Sequence, residues 1–171
     1  ILAKHRHVES HAAGELLSVD SFTASVAGLG KIWQYTACDT YSSYGWAKVY
    51  GEKTADTAID FITNYIVRCS PAGKIRRVLT DQGTEFYNAR FKDTESFFTQ
   101  ALRLHSIRHS VTKVAHPWTN GYVERLNQTI WQEFYLCRLD KRYMSIEELN
   151  KDLEAFMRYY NFRRVHSGYK L

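Results

Sequence analysis

The chain has 171 residues, 44% hydrophobic and 24% charged, the make-up of one globular domain with a sizeable core. That excludes a disordered or fibrous chain, and no apolar run approaches the roughly 18 residues of a membrane span. The net charge of +5 suits either a polyanionic partner or a solvated basic surface.

Ile1 to His7 is polar and basic, without the apolar run of a secretory leader. His5, His7 and His11 have no cysteine beside them and read as part of a tail. Glu15 to Phe22 is a short apolar run and predicts a strand, with Asp20 inside it. Ala27-Gly28-Leu29-Gly30 is a turn, Lys31 to Cys38 a second strand and Tyr44 to Tyr50 a third, so the chain opens as an antiparallel meander. Thr54 to Val67 predicts a helix capped by Thr54, with Ala55, Ala58, Ile59, Ile62 and Ile66 as its apolar stripe. After the break at Ser70-Pro-Ala-Gly, Arg77 to Asp81 is a strand that ends on a carboxylate. Phe91 to Leu104 predicts a helix with Phe97, Ala101 and Leu104 inward, and Ile107 to Val111 a fifth strand. Val114 to Gly121 is a loop. Tyr122 to Arg138 predicts an amphipathic helix on Val123, Leu126, Ile130, Phe134 and Cys137, and Ser145-x-x-Glu148 is a capping box opening a last helix on Ile146, Leu149, Leu153, Phe156 and Tyr160. The order β-β-β-α-β-α-β-α-α is an α/β mix.

Charge and cysteine content narrow the setting. From Arg68 to Lys113 nine Lys/Arg stand against four Asp/Glu, and after Glu154 there are basic residues and no acid. Cys38, Cys69 and Cys137 are odd in number and widely spaced, which argues against a disulfide framework and for a reducing compartment.

Three carboxylates occupy positions suited to metal-dependent phosphodiester chemistry, which needs hard anionic oxygens near open coordination positions. Asp81 leaves a buried strand into a Gly-containing turn, at the sheet edge where open α/β sheets place ligands; it also reads as a plain turn residue. Glu124 lies in the first turn of its helix, flanking the apolar stripe with Gln128, Trp131 and Tyr135; a helix-start Glu also suits the macrodipole. Asp20 is a charge inside an apolar strand and requires a partner, a metal or an arginine.

These residues sit in five blocks: Gly14-Glu-Leu-Leu-Ser-Val-Asp20, Thr36-Ala-Cys-Asp-Thr-Tyr-Ser-Ser-Tyr-Gly-Trp-Ala47, Val78-Leu-Thr-Asp-Gln-Gly-Thr-Glu-Phe86, His116-Pro-Trp-Thr-Asn-Gly-Tyr-Val-Glu-Arg-Leu-Asn127 and Tyr160-Asn-Phe-Arg-Arg-Val-His-Ser167. In that order they resemble the integrase core of the Asp-Asp-Glu superfamily, nearest to bacterial insertion-sequence transposases and related to retroviral integrases. The resemblance implies a ribonuclease H-like α/β fold, a mixed five-stranded sheet of an antiparallel meander followed by two parallel strands, flanked by helices. It implies Asp20, Asp81 and Glu124 as catalytic, metal-binding residues for Mg²⁺ or Mn²⁺, two ions in number. One ion would activate the attacking water or 3′-hydroxyl and the other would stabilise the leaving oxygen, for cleavage at a transposon end and strand transfer into target DNA. The implied partners are DNA, as transposon ends and target, and copies of the chain in a homodimer or higher oligomer, with no membrane. The implied setting is the bacterial cytoplasm, with residues 1–14 a tail or linker and 15–171 a core from a longer protein.

The interval from Asp81 to Glu124 is longer than in many relatives, with the added length around Asp93 to His105, and Val165 stands where a proline is usual. Where retroviral integrases carry DNA-facing lysines, this chain has Gln128 and Trp131; Trp131 also reads as a packing aromatic. Lys113, His116, Asn120 and Arg125 complete the candidate DNA contacts, against readings as surface charge, loop packing and turn formation. Asp39 rivals Asp20, but two strand candidates follow Asp20 before the helix at Thr54 and one follows Asp39, and the resembling fold requires two. Glu85, four residues past Asp81, has two readings, an acid that approaches the metals and a surface acid, and the second is preferred. A ribonuclease H-like nuclease that does not join ends and a non-catalytic DNA-binding module are the alternative functions.

Overall fold

The computed structural model describes residues 10–87, 95–112 and 121–165. Five strands, β1 (Leu17–Val26), β2 (Gly30–Asp39), β3 (Gly45–Tyr50), β4 (Arg77–Thr80) and β5 (Arg108–Val111), form one sheet in the order β3-β2-β1-β4-β5. β1, β2 and β3 pair antiparallel; β4 joins β1 and β5 joins β4 in parallel. This is the mixed sheet expected from the sequence. β1 runs four residues further than the predicted strand because its ladder to β2 continues to Val26↔Gly30. Gly28 closes that hairpin at φ 92, where a Cβ would meet the Tyr143 carbonyl oxygen at 2.0 Å.

Strand alternation gives the sheet two buried faces. Leu17, Val19, Tyr35, Ala37, Trp46 and Val78 face α1 (Ala55–Ile59), its continuation, and α3 (Phe97–Leu104). Ala24, Ile32, Cys38, Ala47 and Val49 face α4 (Gly121–Ile130) and α5 (Ile146–Phe162).

Thr54 caps α1 as predicted, and α1 passes through a π-helical stretch, Asp60–Ile66, into α2 (Val67–Cys69). The wider π turn turns Phe61 inward beside Ala58, Ile62 and Ile66. A second π stretch, Trp131–Tyr135, and a 3₁₀ turn, Leu136–Arg138, extend α4. The change of pitch buries Tyr135 and leaves Cys137 exposed, so both differ from their predicted positions on the helix wheel. Ser145 caps α5 by accepting from the Glu148 amide, while the Glu148 carboxylate accepts from the Met144 amide, one residue earlier than in a capping box.

The predicted inward face of α3 is wrong. Phe97 and Leu104 are 76% and 86% exposed, and Phe98 and Leu102 are buried. Ser96 accepts from the Thr99 amide and sets where α3 starts; Phe98 then packs edge-on against Phe86 and His109. The earlier part of that predicted helix, Phe91 to Thr94, lies outside the described residues.

Candidate active site

Asp20 is in mid-β1, on the face turned to α4 and half-buried. Its Oδ1 accepts from the Ser21 amide at 2.8 Å and its Oδ2 from Asn127 Nδ2 at 2.9 Å. The parallel register pairs Leu17 with Val78 and Ser18 with Leu79. Continued two residues, it sets Asp20 beside Asp81, just beyond the carboxyl end of β4. Asp81 is exposed, and its Oδ1 accepts from the Gly83 amide at 2.9 Å, the turn arrangement expected of it. Glu124 is exposed in the first turn of α4, three residues before Asn127.

Burial pushes the Asp20 carboxyl up to about 6, and the negative charges of Asp81 and Glu124 push the same way, against the Ser21 amide and Asn127. The three carboxylates therefore share one electrostatic environment. Among the described residues none of them has a basic side chain in ion-pair contact. Nor are any three His, Cys, Asp or Glu side chains among the described residues gathered closely enough to hold one ion together. Like charges without a counter-ion stand apart, and a two-ion centre engages its carboxylates in pairs. The donor set, hard oxygens on two strands and a helix end with uncompensated negative charge, fits a divalent cation in kind.

Asp39 lies at the other end of the ladder, paired with Leu17, and is 1% exposed. Its carboxylate accepts from the amides of Gly14, Tyr41 and Ser42, so it serves the β2–β3 turn. Arg125, Gln128 and Trp131 are exposed on α4 and its extension, with the Trp131 ring 5.8 Å from that of Tyr135. Lys113, His116 and Asn120 lie outside the described residues, as do His5 and His7.

Further side chains around the site have contacts that the sequence did not reveal. Asn127 reaches Asp20, and its spacing from Glu124 along one helix was the available signal. Glu85, expected as a surface acid, is 3% exposed: Ser21 Oγ donates to its Oε1 at 2.8 Å, and Lys53 Nζ lies 3.1 Å from the same oxygen. Behind Asp81, His109 Nε2 is 2.9 Å from Thr80 Oγ1 and its Nδ1 is 2.7 Å from Thr99 Oγ1. Burial holds the His109 ring down at about 4, so it is neutral at physiological pH. On the α4 face, Tyr135 donates to Gln34 and Gln34 to Thr36, the residue paired with Asp20.

A family model described as an integrase core domain matches residues 10–117, and a second of the same description matches residues 105–170. No curated protein sequence is significantly similar. Among solved structures, the chain resembles a simian T-cell lymphotropic virus intasome at 18% identity and TM-score 0.76, covering 95% of this chain and 53% of that one. It resembles the HTLV-2 integrase catalytic core domain, in complex with magnesium and in a dimeric form, at 19% identity and TM-score 0.68, with 96% and 95% covered. The BIV integrase core is similar at 18% identity and TM-score 0.65, with 90% and 87% covered. The chain spans about half of the simian chain and nearly all of the isolated cores, and the shared fold is the ribonuclease H-like one.

Proposed function

The chain belongs to the integrase core domain family, and from that premise we propose that it catalyses divalent-metal-dependent DNA cleavage and strand transfer through Asp20, Asp81 and Glu124. The observation that carries the reading is the convergence on Asp20: Asp81 stands beside it by strand register, and the charges of Asp81 and Glu124 act on it with no basic side chain paired to any of the three among the described residues. Asp20 and Asp81 would hold one Mg²⁺ or Mn²⁺, and one of them with Glu124 the second. Magnesium in the HTLV-2 integrase core supports that choice of metal. Bound ions supply positive charge that makes the attacking hydroxyl more acidic and stabilises the leaving oxygen.

The protein's own residues have distinct parts. The Ser21 amide and Asn127 fix the Asp20 carboxylate, and the Gly83 amide fixes that of Asp81. Arg125, Gln128 and Trp131 present a polar, cationic and stacking surface beside Glu124, suited to phosphates and unstacked bases. Lys113, His116 and Asn120 complete the proposed DNA contacts. The dimeric form of the HTLV-2 core supports assembly of this chain as a homo-oligomer.

The test is a joining assay on labelled oligonucleotides with Mg²⁺ or Mn²⁺. Wild type is expected to give joined products, and Asp81→Asn none, with circular dichroism and most DNA affinity unchanged. Joining by Asp81→Asn at the wild-type level refutes the triad. Cleavage without joining by wild type identifies a nuclease instead.

A further inference from the structure

The Asp-x-Gly-x-Glu stretch from Asp81 to Glu85 brings its last residue back under its first turn. Glu85 is buried, yet its nearest cation, Lys53, is 36% exposed and meets only Oε1. Oε2 is buried with no hydrogen-bond partner among the described residues. A buried carboxylate so incompletely satisfied is costly, and apolar packing alone does not call for it. Its surroundings show what it touches. Ser21 Oγ donates to Oε1, and the amide of the same Ser21 donates to Asp20. On the other side, a Cβ placed on Gly83 would fall 2.7 Å from Oε2, so the carboxylate lies directly against the Gly83 backbone. The amide of that same Gly83 donates to Asp81. The two main-chain N–H groups that orient the two aspartates therefore both belong to residues in contact with one carboxylate.

We propose that Glu85, neutralised by Lys53, is a positioning residue that braces the Ser21 and Gly83 amides and so holds Asp20 and Asp81 ready to bind metal. The proposal rests on the reading of Asp20 and Asp81 as metal ligands. Glu85 itself neither binds the metal nor meets DNA. The brace explains why Gly83 is glycine although its φ is not positive: a side chain there would displace the Glu85 carboxylate, not strain the backbone. It also explains why Ser21 is polar while Leu17 and Val19, on the same face of β1, are apolar.

Ser21→Ala removes one arm of the brace with little change in volume, and Glu85→Gln removes the charge while keeping the shape. Tyr143→Phe, which loses a bond to Asp152 far from the site, serves as a stability control. Each protein, free of DNA, is titrated with Mn²⁺ and followed by calorimetry and by the melting temperature. Outer-shell partners of metal ligands are worth roughly 10- to 100-fold in metal affinity. Ser21→Ala and Glu85→Gln are accordingly expected to weaken Mn²⁺ binding by about tenfold or more. Tyr143→Phe is expected to lower the melting temperature and leave Mn²⁺ affinity unchanged. Should Glu85→Gln fold poorly, Ser21→Ala alone decides the matter. If wild type binds Mn²⁺, Asp81→Asn does not, and Ser21→Ala binds as wild type does, the brace is overturned and the metal reading stands. If wild type fails to bind Mn²⁺, the metal reading falls and the brace with it.

Discussion

Without metal, the half-buried Asp20 carboxylate opposes folding, so its neutral isostere is expected to stabilise the protein. Asp20 moves from an ordinary value of 3.8 to about 6 in the folded chain, chiefly through burial and then through Asp81 and Glu124. The sign follows from proton binding: the folded state holds this proton more tightly, so stability is greatest below the unfolded value and is lost as pH rises through the folded one. A shift of about two units corresponds to ~3 kcal/mol between the protonated and ionised limits. Asp20→Asn removes that loss. Asn127 has a buried Oδ1 without a partner among the described residues, so turning its amide lets an Asn at position 20 donate to it while still accepting from the Ser21 amide. Urea unfolding in EDTA measures the difference. The expected gain for Asp20→Asn is up to ~3 kcal/mol near pH 8 and about 1 kcal/mol near pH 4.5. Saturating Mn²⁺ should shrink the gain near pH 8, because the wild type alone profits from the ion. An equal gain at both pH values, or a loss near pH 8, refutes the electrostatic argument.

Mg²⁺ or Mn²⁺ is expected to raise the melting temperature of wild type more than that of Glu124→Gln; equal shifts in a thermal melt remove Glu124 from the metal centre. Gly28→Ala is expected to be severely destabilising, because its Cβ would collide with the Tyr143 backbone at positive φ, whereas Gly73→Ala, at φ 72 with nothing within 4 Å, should cost only about 1 kcal/mol by urea denaturation. Tyr135→Phe leaves the buried Gln34 Oε1 without its donor and should cost about 1–3 kcal/mol, read as a lower urea midpoint at unchanged slope.

The strands were legible because alternation on a two-sided sheet leaves a direct trace: Leu17 and Val19 face one core, Phe22 and Ala24 the other. The caps at Thr54 and Ser145 were legible for the same local reason. What escaped was set by distant residues. The phase of α3 depends on Ser96 and on Phe86 and His109, so the apolar pair Phe97 and Leu104 was mistaken for the inward face. Tyr135 and Cys137 exchanged places because a π turn adds length that a fixed helical period does not contain. Asp20 and Asp81 stand out in the sequence through flanking motifs and strand ends, and the β1–β4 register is what brings the two proposed ligands side by side. Glu85 reads as a surface acid in the sequence because its burial depends on Ser21, 64 residues earlier, and on Lys53.

Two of the buried polar atoms without a partner among the described residues, Glu85 Oε2 and Asn127 Oδ1, belong to side chains in direct contact with Ser21 or Asp20. The other two are Trp46 Nε1, on β3, and Ser70 Oγ, just after α2, while Leu17, Val19, Phe61 and Phe98 in one core and Val123, Ile130, Phe134 and Leu153 in the other are fully buried. Unsatisfied polarity on two side chains that adjoin Ser21 and Asp20 is what a site whose partner arrives from outside would carry, since a purely structural cluster there would gain from apolar replacement. The same division separates tolerance from function. The two cores supply the folding free energy, so the carboxylate end is free to carry repulsion between Asp20, Asp81 and Glu124. Neutralising Asp20 should therefore stabilise the fold and, on the proposed function, abolish strand transfer in the same substitution.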